Sequence, residues 1–514
     1  MPVLGRKRPV LDGLKLLWTV LAIWYEHVAF IYSVEQCSWP DSEIQTRTDS
    51  LPRPTHVLLV ADPQILDHRS YPDRAPFLTY ISQLLVDLNL RKNWRAALRM
   101  QPDIVMFLGD MMDGGRFAMS DAEYERYFQR FKSIFPLDSH VPQYFISGNH
   151  DTGLGISDEF SEKAETRYTS HFGPLNSRGT IANNTIIFLN APGLVDEDSQ
   201  HHRSNYDGKS VPGGPVELVQ SYAKSPAQDP VILFTHIPLS RPDRADCGPN
   251  RERGTIRRGT GFGYQNTLGK PVTDFLLQTL RPSVIFSGDD HDYCEYTHSY
   301  NSDGKTREAR EVTVKSLSMA MGIRRPGFQL LSLVQPQGSS SHADSLCLLP
   351  DQLGIYLSTY IPLLVLSLLV LCVANIYRVF SPRQSKRRSG SVSPNYVPLS
   401  GALRSRSDAG NPTEPNNDWL DYPDADILPQ PTSSSRQVPR PIYSQTFVLL
   451  GRRRRITVSR ESIASLVSTM FSCCGNHDVP KSRGCGVGFL RDVRDVAVFP
   501  LGIFAAVSWW MFVF

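Results

Sequence analysis

The sequence predicts an α/β domain set between membrane spans, and three observations carry that prediction. From Thr55 to about Pro336, short apolar runs rich in β-branched residues alternate with amphipathic helical segments. The early apolar runs end in polar clusters made of acid/base and metal-ligating residue types. Long uncharged stretches lie on both sides of the domain. The 514 residues, 41% hydrophobic and 20% charged, suffice for two or three globular domains. A formal charge of only +3 supplies no global basic field, so nucleic acid is not expected as a partner.

In chain order, residues 1–15 form a short basic N-terminus that carries Arg6, Lys7, Arg8 and Lys15. The apolar stretch 16–34 follows, interrupted by Glu26 and His27. A carboxylate within a span costs on the order of 3 kcal/mol on insertion scales. No small-x-small pattern follows closely, so an uncleaved anchor is expected and not a removed signal peptide. Residues 35–54 and 337–354 read as linkers around the domain at 55–336. Ile355 to Tyr377 contains 23 residues without a charge. At 1.5 Å per residue that length crosses a hydrocarbon core of roughly 30 Å. Beyond it, residues 378–495 turn to Ser, Pro, Asn and Arg and are expected to be a largely disordered tail. The uncharged segment 496–514 reads as a further span or as a hairpin lying in the membrane. Basic residues precede the first span and follow the second (Arg378, Arg383, Lys386, Arg387, Arg388), so both flanks should face the cytosol. The domain between them is then lumenal or extracellular. The Asn183-Asn184-Thr185 triplet suits that side. Cys37, Cys247, Cys294 and Cys347 share this region; an oxidising compartment would permit pairing, their spacing suggests no zinc site, and the sequence assigns no bridge.

Inside the domain, 55–62 reads as a buried strand, 80–100 as a helix, 103–110 as a strand and 121–135 as a helix. Further strands are expected in VPQYFISGNHD, TIIFLNAPG, DPVILFTHIP and PSVIFSGDDHD, with EVTVKSLSM and GFQLLSLV closing a sheet. Ligands of open α/β sheets bind beyond the carboxyl ends of strands, where several loops converge. The residues there are Asp62, Asp110, Asn149, His150, Asp151, His236, Asp289, Asp290 and His291. Each alone has an ordinary explanation: a turn at Asp62-Pro63, a helix cap at Asp110 or Asp113, a hairpin corner at Gly148-Asn149. Five such blocks in succession do not. The GNHD at 148–151 recurs at 475–478, but there no strand precedes it and Cys473 and Cys474 lie beside it. That copy reads as coincidence.

The blocks are D-P-Q at 62–64, G-D-x-x-D at 109–113, G-N-H-D at 148–151, H-x-P-L at 236–239 and G-D-D-H at 288–291. In this order they resemble the calcineurin-like metallophosphoesterase superfamily. That resemblance implies a β-sandwich flanked by helices and a centre for two divalent ions. Gln64 and Asp289 stand where the superfamily pattern has His, and both still offer an oxygen. These variants, with the 247–259 segment and the flanking spans, look like the fungal cell-division-control branch. That branch groups with endoplasmic-reticulum phosphodiesterases that remove ethanolamine phosphate from the mannoses of GPI anchors. The resemblance therefore implies a GPI-anchored glycolipid or protein as substrate, membrane lipid as surroundings, and an endoplasmic reticulum (or Golgi) location with the tail cytosolic.

By the same resemblance Asp110 bridges the ions, Asp62, Gln64 and His291 complete one site, and Asn149, His236 and Asp289 complete the other. Oxygen ligands predominate, which favours Mn²⁺ or Mg²⁺ over Zn²⁺, and Mn²⁺ is expected. His150 is expected to protonate the leaving alkoxide, with Asp151 orienting its ring. Asp113 is left to a capping role. Arg241, Arg257 and Arg258 are expected at the substrate, the last two in a Gly-rich basic loop with Arg251 and Arg253 that also reads as a plain solvated loop. The run Arg452–Arg455 reads as a membrane-surface patch. Two other functions remain open: a phosphatase or phosphodiesterase acting on another lipid or a nucleotide, and a degenerate scaffold for cargo export.

Overall fold

The computed structural model describes residues 7–44, 53–155, 157–203, 210–226, 228–335, 341–380, 443–449, 452–458 and 485–513. The GNHD copy at 475–478 and much of the expected tail lie outside the described residues.

The domain is a two-sheet sandwich. The first sheet uses Thr55–Val60 (β1), Ile104–Leu108 (β2) and Gln143–Ile146 (β3). The second uses Ser177–Ile181 (β4), Asn184–Leu189 (β5) and Val231–Thr235 (β6). After the small hairpin Thr260–Gly261 (β7) and Tyr264–Gln265 (β8), the chain adds Val284–Ser287 (β9), Cys294–Ser302 (β10) and Lys305–Thr313 (β11) to the second sheet. Gly327–Leu333 (β12) and His342–Leu348 (β13) return to the first. The orders are β13-β12-β1-β2-β3 and β10-β11-β9-β6-β5-β4. β1, β2 and β3 are parallel, as are β5, β6, β9 and β11, so their carboxyl ends gather at one edge of the sandwich.

Alternation explains the layers. Val57, Leu59, Met106 and Leu108 of one sheet meet Ile186, Phe188, Ile232, Phe234 and Phe286 of the other. Leu58, Val60, Val105 and Phe107 point outward against Leu90 and Trp94 of the Pro76–Leu98 helix and Phe131 of the Asp121–Ile134 helix. On the far face Ile187, Leu233 and Ile285 pack on Val219, Leu276 and Leu277. The central strands β1, β2, β5, β6, β9 and β12 are buried on both faces, which is why they read as continuous apolar runs.

Several boundaries differ from the expectation. The two late strands do not close one sheet: β11 joins the second and β12 the first. Residues 337–354 are not a linker, because β13 pairs with β12 along its whole length. Its half-exposed edge position leaves it without the apolar run by which strands are recognised. Of the segment 35–54, the described residues 35–44 are also anchored: Cys37 is disulfide-bonded to Cys347, and Trp39 stacks on His56 at 4.2 Å. A second disulfide joins Cys247 to Cys294.

Among the described residues, three helices are long and apolar enough to cross a membrane: Arg8–Glu35, Gln352–Tyr377 and Gly486–Phe512. The third starts before 496 and takes in Arg491 to Asp495, so the expected tail is shorter. A separate unit, 372–491, contains the antiparallel pair Tyr443–Leu449 and Arg452–Val458, which places Arg452–Arg455 on a strand. Glu26, the carboxylate that weighed against the first span, is buried with Lys92 Nζ at 2.6 Å and accepts a hydrogen bond from Tyr360 at 2.9 Å. Pairing with a cation and a hydroxyl removes most of the penalty an isolated carboxylate would carry there.

Candidate metal centre

The sequence blocks converge where the parallel strands end. Asp62 and Gln64 follow β1, Asp110 follows β2, Asn149 follows β3, His236 follows β6, and Asp289 and His291 follow β9. Backbone bonds tie the ends together: Gln64 N–H donates to Asp110 O, Gly288 N–H donates to His236 O, and Asp289 N–H donates to the Asp62 carboxylate. Two overlapping triplets result, Asp62–Asp110–His291 and Asp110–His236–Asp289. Within each, the potential ligand atoms lie within 4.8 Å of one another, and Asp110 belongs to both.

The backbone pays a conformational cost for this convergence. Asp62, Gln64, Asp110, Asp289 and His291 have φ of 46°, 36°, 55°, 65° and 69°, the left-handed region that side chains rarely adopt. They make up half of the ten such non-glycine residues described. Each costs on the order of 1 kcal/mol or more, and such strain persists where the surroundings impose it. The glycines preceding the ligands have a steric reason. A Cβ on Gly109 would sit 2.1 Å from His236 Nδ1, and one on Gly148 would sit 2.0 Å from Asp110 Oδ1.

Hydrogen bonds aim the ligand atoms. His236 Nδ1–H donates to Leu108 O at 2.7 Å, which turns Nε2 towards Asp110 and Asp289 at 3.4 and 3.5 Å. Asn149 Nδ2 donates to Gly263 O at 2.8 Å, leaving Oδ1 on the His236 side. Gln64 Nε2 donates to the Asp110 carboxylate at 2.9 Å. A ligand role for Gln64 needs its amide turned to present the oxygen. Asp62 Oδ2 is buried without a hydrogen-bond partner, as a carboxylate oxygen awaiting a cation would be.

Charge is unbalanced. Burial pushes the Asp62 carboxyl well above its ordinary range, with the Asp110 and Asp289 charges adding to it and His236 opposing. Burial acts the same way on Asp110, but His236 and His150 outweigh it and hold that carboxyl below its usual value. Three carboxylates, those of Asp62 and Asp110 buried and that of Asp289 partly so, with two imidazoles and unused acceptor capacity fit a pair of divalent ions.

His150 is placed beside the cluster. Its backbone N–H donates to Asp110, and its Nδ1 lies 2.6 Å from Asp113 O and 3.2 Å from the Asp113 carboxylate. Burial lowers its affinity for a proton, yet Asp110 and Asp113 raise the pKa to about 9. Asp151 does not orient this ring. Its carboxylate accepts from Gly148 N–H and Met112 N–H, and burial with the Asp110 charge pushes its pKa to about 7. Adjacent residues on the Asn149–Thr152 helical turn point in different directions, so the partner of His150 comes from the neighbouring loop.

Of the three expected arginines, Arg241 is misplaced by the sequence reading. It is fully buried with its guanidinium 2.7 Å from Glu311 and cannot reach a substrate. Arg257 and Arg258 are exposed, and Arg258 lies 3.8 Å from Asp243. Two further arginines lie near the centre: Arg116, which the sequence reading did not single out, and Arg251 of the basic loop. Arg116 donates to Asn149 O and Gly263 O between the rings of Phe117 and Phe160. Arg251 pairs with Asp290, the residue between Asp289 and His291. Only the position of Arg116 three residues after the second block hinted at its place.

The model of the calcineurin-like phosphoesterase family matches residues 55–293. Cell division control protein 1 of Saccharomyces cerevisiae is 34% identical over 351 residues, 65% of this chain and 68% of the relative. Metallophosphoesterase 1 homolog of Drosophila melanogaster is 25% identical over 386 residues, 72% and 94%. Metallophosphoesterase 1 of Mus musculus is 25% identical over 360 residues, 67% and 85%. Together with the paired acidic and imidazole triplets at the strand ends, these relationships identify a phosphoester hydrolase, and the chain belongs to the calcineurin-like phosphoesterase family.

Proposed function

We propose that the protein is a membrane-anchored, lumenal, Mn²⁺-dependent phosphodiesterase that removes ethanolamine phosphate from the mannose of a GPI-anchored glycolipid or protein in the endoplasmic reticulum. The observation that carries the catalytic part is the pair of triplets sharing Asp110. Divalent ions held there would supply a nucleophilic water and positive charge for the displaced phosphoryl oxygens. Asp110 would be shared between the ions; Asp62, Gln64 and His291 would hold one, and Asn149, His236 and Asp289 the other. His150, whose pKa is raised to about 9, keeps a proton at Nε2 and delivers it to the leaving alkoxide. Asp113 holds that ring through Nδ1. The oxygen-rich donor set supports Mn²⁺.

Two disulfides support an oxidising compartment for the domain, in agreement with the basic residues flanking the spans. Asn183 is exposed at the turn joining β4 and β5, where a glycan would be tolerated. The substrate rests on the resemblance of the sequence blocks to the GPI-remodelling branch. Mass spectrometry of GPI glycans from cells lacking the protein tests it: an added ethanolamine phosphate on mannose is expected, and unchanged glycans overturn the substrate. Metal analysis of the purified full chain, with about two Mn²⁺ per chain expected, separates this reading from a degenerate scaffold.

A further inference from the structure

From the membrane-side geometry we infer that a phospholipid-like molecule binds beside the metal centre, its acyl chain between the spanning helices and its phosphate head group against a basic chamber of the domain. The inference rests on the phosphodiesterase reading only for its meaning, since the binding site itself is argued from two cavities that share a wall.

The first cavity, about 510 Å³, lies among the three candidate spans. Trp18 and Ala22 of the first, Leu364 and Leu368 of the second, and Ala497 and Phe504 of the third line it. Its size is that of a small-molecule pocket. A cavity so lined, between helices that cross a bilayer, has hydrocarbon as its neighbouring medium, so a chain of the same chemistry fills it. Along the second span its lining runs from Tyr356 to Leu371, about 22 Å of helix.

The second cavity, about 840 Å³, lies where the domain meets the start of the second span. Arg74, Arg253 and Arg324 line it against one carboxylate, Asp351. Asp351 is already engaged, accepting from Gly354 N–H and lying 3.6 Å from Arg324. The chamber is therefore net basic and suits a phosphate. Leu85 lines both cavities, so head-group chamber and chain cavity adjoin across one side chain.

The chamber is also fixed to the metal centre. Arg253 N–H donates to Asp292, next to His291. Met319 and Ala320 on its wall follow Ser316, whose N–H donates to His291 O and whose hydroxyl donates to Asp62 O. Finally, the Pro76–Leu98 helix that carries Leu85 begins with Phe77 and Tyr80, 70% and 63% exposed, whereas its second half is buried. An exposed aromatic and apolar turn beside spanning helices suits the bilayer interface. The chamber thus opens where lipid head groups lie.

The test uses the full chain in phosphatidylcholine vesicles doped with phosphatidylethanolamine carrying a diazirine in one acyl chain. After photolysis, peptide mass spectrometry should find label on Leu364, Leu368, Ala497 and Phe504 several-fold above the outward-facing Leu366 and Leu369, which are 56% and 55% exposed. Ala497→Trp should cut the cavity labelling about tenfold. A diacylglycerol with the same photoactive chain should label the cavity several-fold less, and Arg253→Ala/Arg324→Ala should erase that difference. Label spread evenly around the second span overturns the chain cavity, and equal labelling by the two lipids overturns the head-group chamber. Neither readout depends on turnover. Cavity labelling in a protein whose loss leaves GPI glycans unchanged would keep the lipid site and remove the assigned substrate.

Discussion

Two of the ionic clusters buried in the sandwich differ in how they balance their charge. At the metal centre Asp62, Asp110 and Asp289 crowd His236, Asp62 Oδ2 has no partner, and five backbones are left-handed. Deeper in the second sheet Glu311 is matched by Arg241 and His298, each at 2.7 Å, and also accepts from Ser287 and Leu239 N–H. Arg241 and His298, with the two lesser donors, hold the Glu311 carboxyl below its usual range despite burial. None of these Glu311 partners has a left-handed backbone. A buried cluster that balances its own charge on relaxed backbone is structural. One that leaves charge unbalanced on strained backbone is built for something the chain does not contain. Sequence reading could not separate the two, and so sent Arg241 to the substrate.

The sharpest way to break this contrast is to neutralise one carboxylate in each cluster. Asp110→Asn should lower phosphodiester turnover about a thousandfold, the scale of one lost electrostatic stabiliser. In chelator its thermal midpoint should fall by less than that of Glu311→Ala, because His236 and His150 lose a partner while Asp62 is relieved of a like charge. A fall as large as that of Glu311→Ala would show that Asp110 is structural. Glu311→Ala should instead cost about 3–5 kcal/mol in denaturant unfolding by orphaning Arg241, and metal content of the folded fraction should persist. Stability within 1 kcal/mol of the parent would contradict a self-balanced cluster.

His150→Ala should reduce turnover about a hundredfold with metal content near normal. Asp113→Asn should move turnover the same way by a smaller factor, while Asp151→Asn should act mainly on stability. Loss of metal in H150A would make His150 a ligand. The pH dependence of metal uptake is the next test. Burial opposes a proton on His236, but Asp110, Asp289 and Asp62 together raise its pKa well above the ordinary histidine value. A metal must displace that proton, so apparent affinity should rise up to tenfold per pH unit while His236 remains protonated in the metal-free protein. Chelator-buffered titrations at three pH values would read this, and a flat profile would count against His236 Nε2 as donor. The smallest effect is expected at Arg257→Ala/Arg258→Ala, less than twofold on a soluble diester, since both side chains project into solvent.

Chain order alone identified the parallel strands, the residues that end them and the spans, because strand burial and bilayer thickness impose apolar runs whose length and punctuation survive in one dimension. It also marked seven candidate ligand positions, five of which the fold gathers into the two triplets, since closely apposed cations demand a narrow choice of residue types at converging strand ends. Tertiary packing decided everything set by direction and not by type. Asp113 and Asp151 are chemically identical, yet one faces His150 and the other caps a turn. Arg116 and Arg241 are identical too, yet one faces the cluster and the other is consumed by Glu311. The half-exposed β13, the two disulfides and the Glu26–Lys92 pair likewise join residues far apart in the chain. Their energetics depend on partners that local pattern does not name.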